Sequence, residues 1–162
     1  MLKRKKRSIS IKKLVDYNIK IPTKNKTIFT LENNGNSIFD YLILITELED
    51  VTNINICSFR IAKRDLVFLE ELINKNKIPT IKLLLSDSIK TMVTSVYNYL
   101  SDNKNFNVRY KNTHAKYCLI KTTNNYYSIL SSGNFNPDGK LEQLRIVNNK
   151  EVYNFFIKNN II

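Results

Sequence analysis

A chain of 162 residues, 43% hydrophobic and 25% charged, is the size of one domain and carries enough apolar side chains to bury a core, which excludes a disordered protein. Its 26 Lys and Arg against 14 Asp and Glu leave a formal charge of +12 and point to a polyanionic partner. One His and two Cys, without CxxC or HxxxH spacing, exclude an ordinary zinc site built by this chain alone, and no apolar run approaches the roughly 20 residues that span a bilayer.

Residues 1 to 26 hold Lys3, Arg4, Lys5, Lys6, Arg7, Lys12, Lys13, Lys20, Lys24 and Lys26 against the single acid Asp16. A run such as KRKKR cannot bury itself, so this segment is expected as a solvated basic arm ahead of a domain over 27–162. It can gain affinity for DNA or RNA by releasing counterions from the phosphate backbone, although a solubilising or targeting tail has the same composition. No uninterrupted apolar segment follows it as in a signal peptide.

TIFTLENN (27–34) reads as a strand ending at the turn formers Asn33, Asn34 and Gly35. Ser37 can cap a helix over IFDYLILITELED, and VTNINICSFRI (51–61) alternates as a strand. KRDLVFLEELINKNK repeats Leu66, Val67, Leu69, Leu72 and Ile73 at helical spacing, Ile78–Leu85 reads as a covered strand, and residues 90–104 as a third helix. Alternating strands and helices imply right-handed crossovers and a largely parallel sheet. From Phe106 the rhythm changes: NVRY, HAKYCLIKT and YYSILSS are too close for intervening helices and predict neighbouring, hairpin-connected strands. QLRIVNN is a further strand and KEVYNFFIKNN a closing helix. The expected architecture is an α/β sandwich whose mixed, largely parallel central sheet is flanked by helices. With three glycines, turns of positive φ fall largely to Asn. Cys57 and Cys118 lie in apolar runs and are expected as buried free thiols, consistent with a reducing, cytoplasmic location without stable membrane insertion.

His114, the only histidine, precedes Lys116 by two residues at the start of a predicted strand, where both side chains would share a face. An imidazole can attack or donate a proton near neutral pH, and an ammonium beside it can neutralise a phosphate oxygen. A surface histidine among many lysines would look the same. Further on, SSGNFNPDG repeats the spacing with Ser132 and Asn134, a hydroxyl and an amide able to donate to phosphate oxygens, and Glu142 follows. The Gly, Asn, Pro and Asp of that segment also suit a plain turn.

In this order the two segments resemble the HKD signature of the phospholipase D-like superfamily, H-x-K-x4-D with a downstream G-S-x-N and a further acid. His114, Lys116, Ser132, Asn134 and Glu142 match, over a resemblance covering residues 28 to 160. Two positions depart from it: Lys121 stands where the motif has Asp, and Ser131 where it has the first Gly. The connection between the two halves is also longer than in the most familiar members. The resemblance implies a phospholipase D-like domain and a metal-independent phosphodiesterase with no cofactor. His114 would attack phosphorus to give a phosphohistidine, and a second histidine would protonate the leaving oxygen. Lys116, Ser132 and Asn134 would hold the phosphate, and Glu142 would orient an imidazole. With one histidine per chain, the second must come from another copy in a homodimer. The implied substrate is DNA or RNA. A catalytically inactive nucleic-acid-binding module, hinted at by Lys121, and a phospholipid phosphodiesterase are the other readings. No base-reading motif is visible.

Overall fold

The structure, a computed structural model, describes residues 19–33, 37–135 and 141–159. The expected turn at Asn34 and Gly35, and Lys3, Arg4, Lys5, Lys6, Arg7, Lys12 and Lys13 of the basic arm, lie outside them.

Strand β1 spans Lys26–Asn33, and helix α1, Ile38–Leu48, follows through a capping box. The Asp40 amide donates to Ser37 Oγ at 3.4 Å and the Ser37 amide to Asp40 Oδ2 at 2.7 Å, satisfying two N–H groups that a helix start leaves free. Helix α1 is apolar almost all round and is correspondingly buried from Ile38 to Thr46, apart from Asp40. β2 (Val51–Ser58), α2 (Lys63–Asn74) and β3 (Ile81–Ser86) come next, α2 burying Leu66, Leu69 and Leu72. Asn76 closes α2 in the left-handed region at φ 54°, and Asn25 does the same before β1 at φ 62°. Both positions go to Asn in a glycine-poor chain.

The single helix expected over 90–104 is two helices, α3 (Ile89–Met92) and α4 (Thr94–Ser101). They part at Val93, whose φ of −138° and ψ of 60° are not helical and whose side chain packs on the core. β4 (Phe106–Lys111), β5 (Tyr117–Thr122), β6 (Tyr126–Ser131), β7 (Leu141–Asn148) and α5 (Lys150–Asn159) complete the chain.

The seven strands form one mixed sheet in the order β1-β7-β6-β5-β2-β3-β4. It is not largely parallel. Only the β2/β3 and β3/β4 pairs are parallel, and the other four adjacent pairs are antiparallel. The expectation failed at β1, which pairs with β7 at the far edge instead of lying beside β2, and the expected β4–β5 hairpin is absent, because β4 pairs in parallel with β3 at the opposite edge. Helix α1 packs on β5 and β6 and carries the chain over them, so β1-α1-β2 joins strands that three others separate in the sheet.

Helices α1 to α4 bury one sheet face through Ile54, Ile56, Leu83, Ile120, Tyr127 and Ile146, with Ile19 and Ile21 packed against that cluster. On the other face, α5 covers a smaller cluster of Cys57, Leu84, Tyr117 and Leu119 with its Tyr153 and Phe156. Both cysteines are buried and free. Among the described residues no helix is long and apolar enough to cross a membrane.

The registers fix which ends meet. Cys57 pairs with Tyr117, Tyr117 with Leu130, and Ser131 with Leu144. The carboxyl ends of the parallel strands β2 to β4 therefore share one rim of the sheet with the loops before β5 and after β6. That rim is where open α/β sheets commonly bind ligands.

Candidate active site

His114 and Lys116 lie on this rim, in the loop before β5 and not in the strand itself, which begins at Tyr117. The shared-face spacing therefore does not set their geometry. Instead Lys116 Nζ donates to the His114 carbonyl oxygen at 2.8 Å, curling the loop. Below it, the buried Cys57 thiol donates to the Ala115 carbonyl at 3.5 Å, and the Ala115 amide donates to Thr113 Oγ1 at 3.2 Å. Burial pushes the Cys57 thiol above its ordinary pKa, against smaller opposing effects of Tyr117, Thr113 and Lys116, which suits an anchor better than a nucleophile.

The exposed His114 ring stacks on Phe59, with centroids 4.5 Å apart and planes 17° from parallel. Phe59 follows the last residue of β2, and the Arg60 guanidinium lies 5.4 Å from its ring centroid. Imidazole, ring and guanidinium thus gather at one place. The sequence reading missed Phe59 and Arg60; the available signal was the SFR tripeptide closing an apolar strand, at the end where ligands collect.

The SSGN segment leaves β6 on the same rim. The Ser131 amide donates to the Lys116 carbonyl at 3.0 Å, joining the two loops through the backbone. Ser131, standing where the HKD signature has glycine, accepts the Gly133 amide on its Oγ at 3.0 Å and tightens the turn. Ser132 Oγ donates to Glu142 Oε2 at 2.5 Å and accepts the Gln143 amide at 2.9 Å, so Glu142 is bonded to Ser132. Gly133 leaves room for this pair: a Cβ there would meet the Glu142 carboxyl group. Phe135 is fully buried against Phe39, and its amide donates to Ser58 Oγ at 3.3 Å, pinning the loop to the end of β2. Between these anchors, the buried Asn134 Oδ1 has no hydrogen-bond partner among the described residues.

Lys121 sits at the opposite end of β5, five residues and about 16 Å from Lys116 at the strand rise of roughly 3.3 Å. Its ammonium lies 5.7 Å from the Tyr126 ring centroid. At that end Glu49 accepts Thr122 Oγ1 at 2.6 Å, Asn125 Nδ2 at 2.9 Å and the Tyr127 hydroxyl. Burial alone would push this carboxyl up, but the three hydrogen bonds outweigh it and hold it below the usual carboxylate range.

No protein-family model and no curated protein matches the chain. Solved structures do match it in fold. NucT from Helicobacter pylori superposes with a TM-score of 0.62 at 14% identity, over 82% of this chain and 91% of that one. A polyphosphate kinase from Porphyromonas gingivalis gives 0.56 at 17% identity, over 82% of this chain but 26% of the kinase. Phosphatidylserine synthase from Haemophilus influenzae Rd KW20 gives 0.50 at 15%, over 83% and 38%. At these identities the likeness is one of fold.

Proposed function

We propose that the protein is a phosphodiesterase that cleaves DNA or RNA through a phosphohistidine on His114, completed by a second copy of the chain. The observation that carries this reading is the meeting of the two motif halves on one rim, His114 exposed in one loop and SSGN in the other, joined by the Ser131 to Lys116 backbone bond. An imidazole nitrogen of His114 attacks phosphorus, a P–N bond forms and the P–O bond to the leaving group breaks. His114 of the second copy protonates the departing oxygen. It then takes a proton from a water that attacks phosphorus, releasing the imidazole and a phosphomonoester. Lys116 faces the phosphate by exchanging its bond to its own backbone for a phosphate oxygen, and Asn134 supplies an amide donor. The charge of +12 favours a polyanionic substrate over a neutral one.

The test is incubation with end-labelled DNA, RNA and phosphatidyl vesicles, each with and without EDTA. Nucleic-acid cleavage that survives EDTA and disappears in His114→Asn, with the melting temperature kept, is the expected result. Binding without cleavage would leave a nucleic-acid-binding module, and cleavage of lipid alone would replace the substrate class. Light scattering at micromolar concentration should give the mass of a dimer. A monomer retaining full activity would refute the two-histidine mechanism.

A further inference from the structure

Strand β1 presents Phe29 and Leu31, two residues apart, on one outer face, where they are 71% and 67% exposed. Large apolar side chains in the open on an edge strand invite unwanted pairing, so their position asks for an occupant. Arg145 of β7 stands directly across from Phe29 in the register, and its guanidinium lies 5.1 Å from the ring centroid. Arg145 makes no salt bridge among the described residues. Together with Leu130, Gln143 and Ser132, these residues line an open groove of about 770 Å³, within the range of small-ligand sites. Helix α5 covers this sheet face over Tyr117 and Leu119 but leaves Phe29 and Leu31 bare.

We infer that this groove is a nucleobase subsite, in which a base of the bound strand stacks on the Phe29–Arg145 pair. Three observations select this occupant. An aromatic ring with an arginine over it is the composite surface on which bases stack in single-stranded nucleic-acid sites. The groove is continuous with the candidate active site, because Ser132 lines the first and hydrogen bonds Glu142 in the second. The charge is complementary to a polyanion.

The inference rests on the nucleic-acid reading above, and its test separates the two. Cleavage of an oligo(dT) strand is compared with that of an otherwise identical deoxyribose-phosphate strand lacking bases, using wild type, Phe29→Ala and Phe29→Tyr. The selectivity for the base-bearing strand should fall about tenfold in Phe29→Ala, the scale of one lost base stack, and return in Phe29→Tyr. Equal effects on both strands, or none, would overturn the subsite while leaving the phosphodiesterase intact. If the wild type cleaves neither strand, nor an RNA of the same length, the functional reading fails. The same selectivity, measured as binding by fluorescence anisotropy, then decides the subsite alone. A dimer that dissociates in Phe29→Ala would assign the groove to a second copy and refute the inference.

Discussion

Replacing Gly133 by alanine puts a methyl carbon where Glu142 already is. The new Cβ would lie 2.3, 2.5 and 2.7 Å from the carboxyl carbon and its two oxygens. No backbone atom is among those nearest contacts, so the clash falls on the far end of one flexible side chain. Glu142 must therefore swing away and release Ser132 Oγ. A hydrogen bond to a charged group is worth about 1.5–3 kcal/mol, and on this exposed rim the lower end applies. Against that, alanine restricts the unfolded chain and returns about 0.4–1 kcal/mol. The net change in stability is thus under about 1 kcal/mol, a shift of roughly 2–4 °C in Tm for a protein of this size. Activity should suffer more, because losing about 1.5 kcal/mol of organisation at Ser132 corresponds to roughly a tenfold fall in kcat/KM. The assay is a double-mutant cycle with Glu142→Ala, reading melting temperature and oligonucleotide cleavage. In the Glu142→Ala background the methyl group meets no carboxylate, so Gly133→Ala should cost nothing further. A full additional loss there would show that the glycine serves something other than the Ser132–Glu142 pair.

Phe59→Ala removes the ring on which His114 stacks. It should lower kcat by up to about tenfold, from the roughly 0.5–1.5 kcal/mol of an aromatic pair, and Phe59→Tyr should restore it. Glu49 has its carboxyl held below the ordinary value, so its stabilisation is present above the unfolded pKa and lost as pH falls through the lower folded one. Glu49→Gln should therefore destabilise the protein at neutral pH and flatten its acid unfolding curve, measured by melts between pH 2 and 7. Lys121→Asp should leave kcat within about twofold, since a charge some 16 Å away along the strand lies beyond the screening length of about 8 Å. Deleting residues 1–12 removes Lys3, Arg4, Lys5, Lys6, Arg7 and Lys12, so the slope of log affinity against log salt should become shallower; an unchanged slope would assign the arm to another task.

What the sequence disclosed follows from the range of each interaction. Local patterns were legible: the Ser37 cap, the α2 stripe, the β5–β6 hairpin and the use of Asn at positive φ all follow from neighbours in the chain. Partnership was not. The alternation in TIFTLENN reports a strand but not which strand it joins, and β1 joins β7 from more than a hundred residues away. The break at Val93 was hidden for a related reason. Its neighbours keep helical spacing, and the departure comes with the Val93 side chain packing on the core. At the candidate site, spacing led to His114, Lys116, Ser132, Asn134 and Glu142, yet Phe59 reaches His114 across fifty-five positions of sequence and only the β2/β5 register brings them together.

The same distinction bears on the Lys121 departure. Judged by sequence, a motif that loses its acid and gains a base looks damaged, because the motif places all its letters on one line. The fold separates those letters. His114 and Lys116 stand at the start of β5 and position 121 near its end, where the hydrogen-bonding need belongs to Thr122, Asn125 and Tyr127. Glu49 of the α1–β2 connection meets that need from outside the motif, and Lys121 turns its ammonium towards Tyr126. The carboxylate that these groups bond thus comes from another segment, at the end of β5 opposite the rim bearing His114, Lys116 and the SSGN turn.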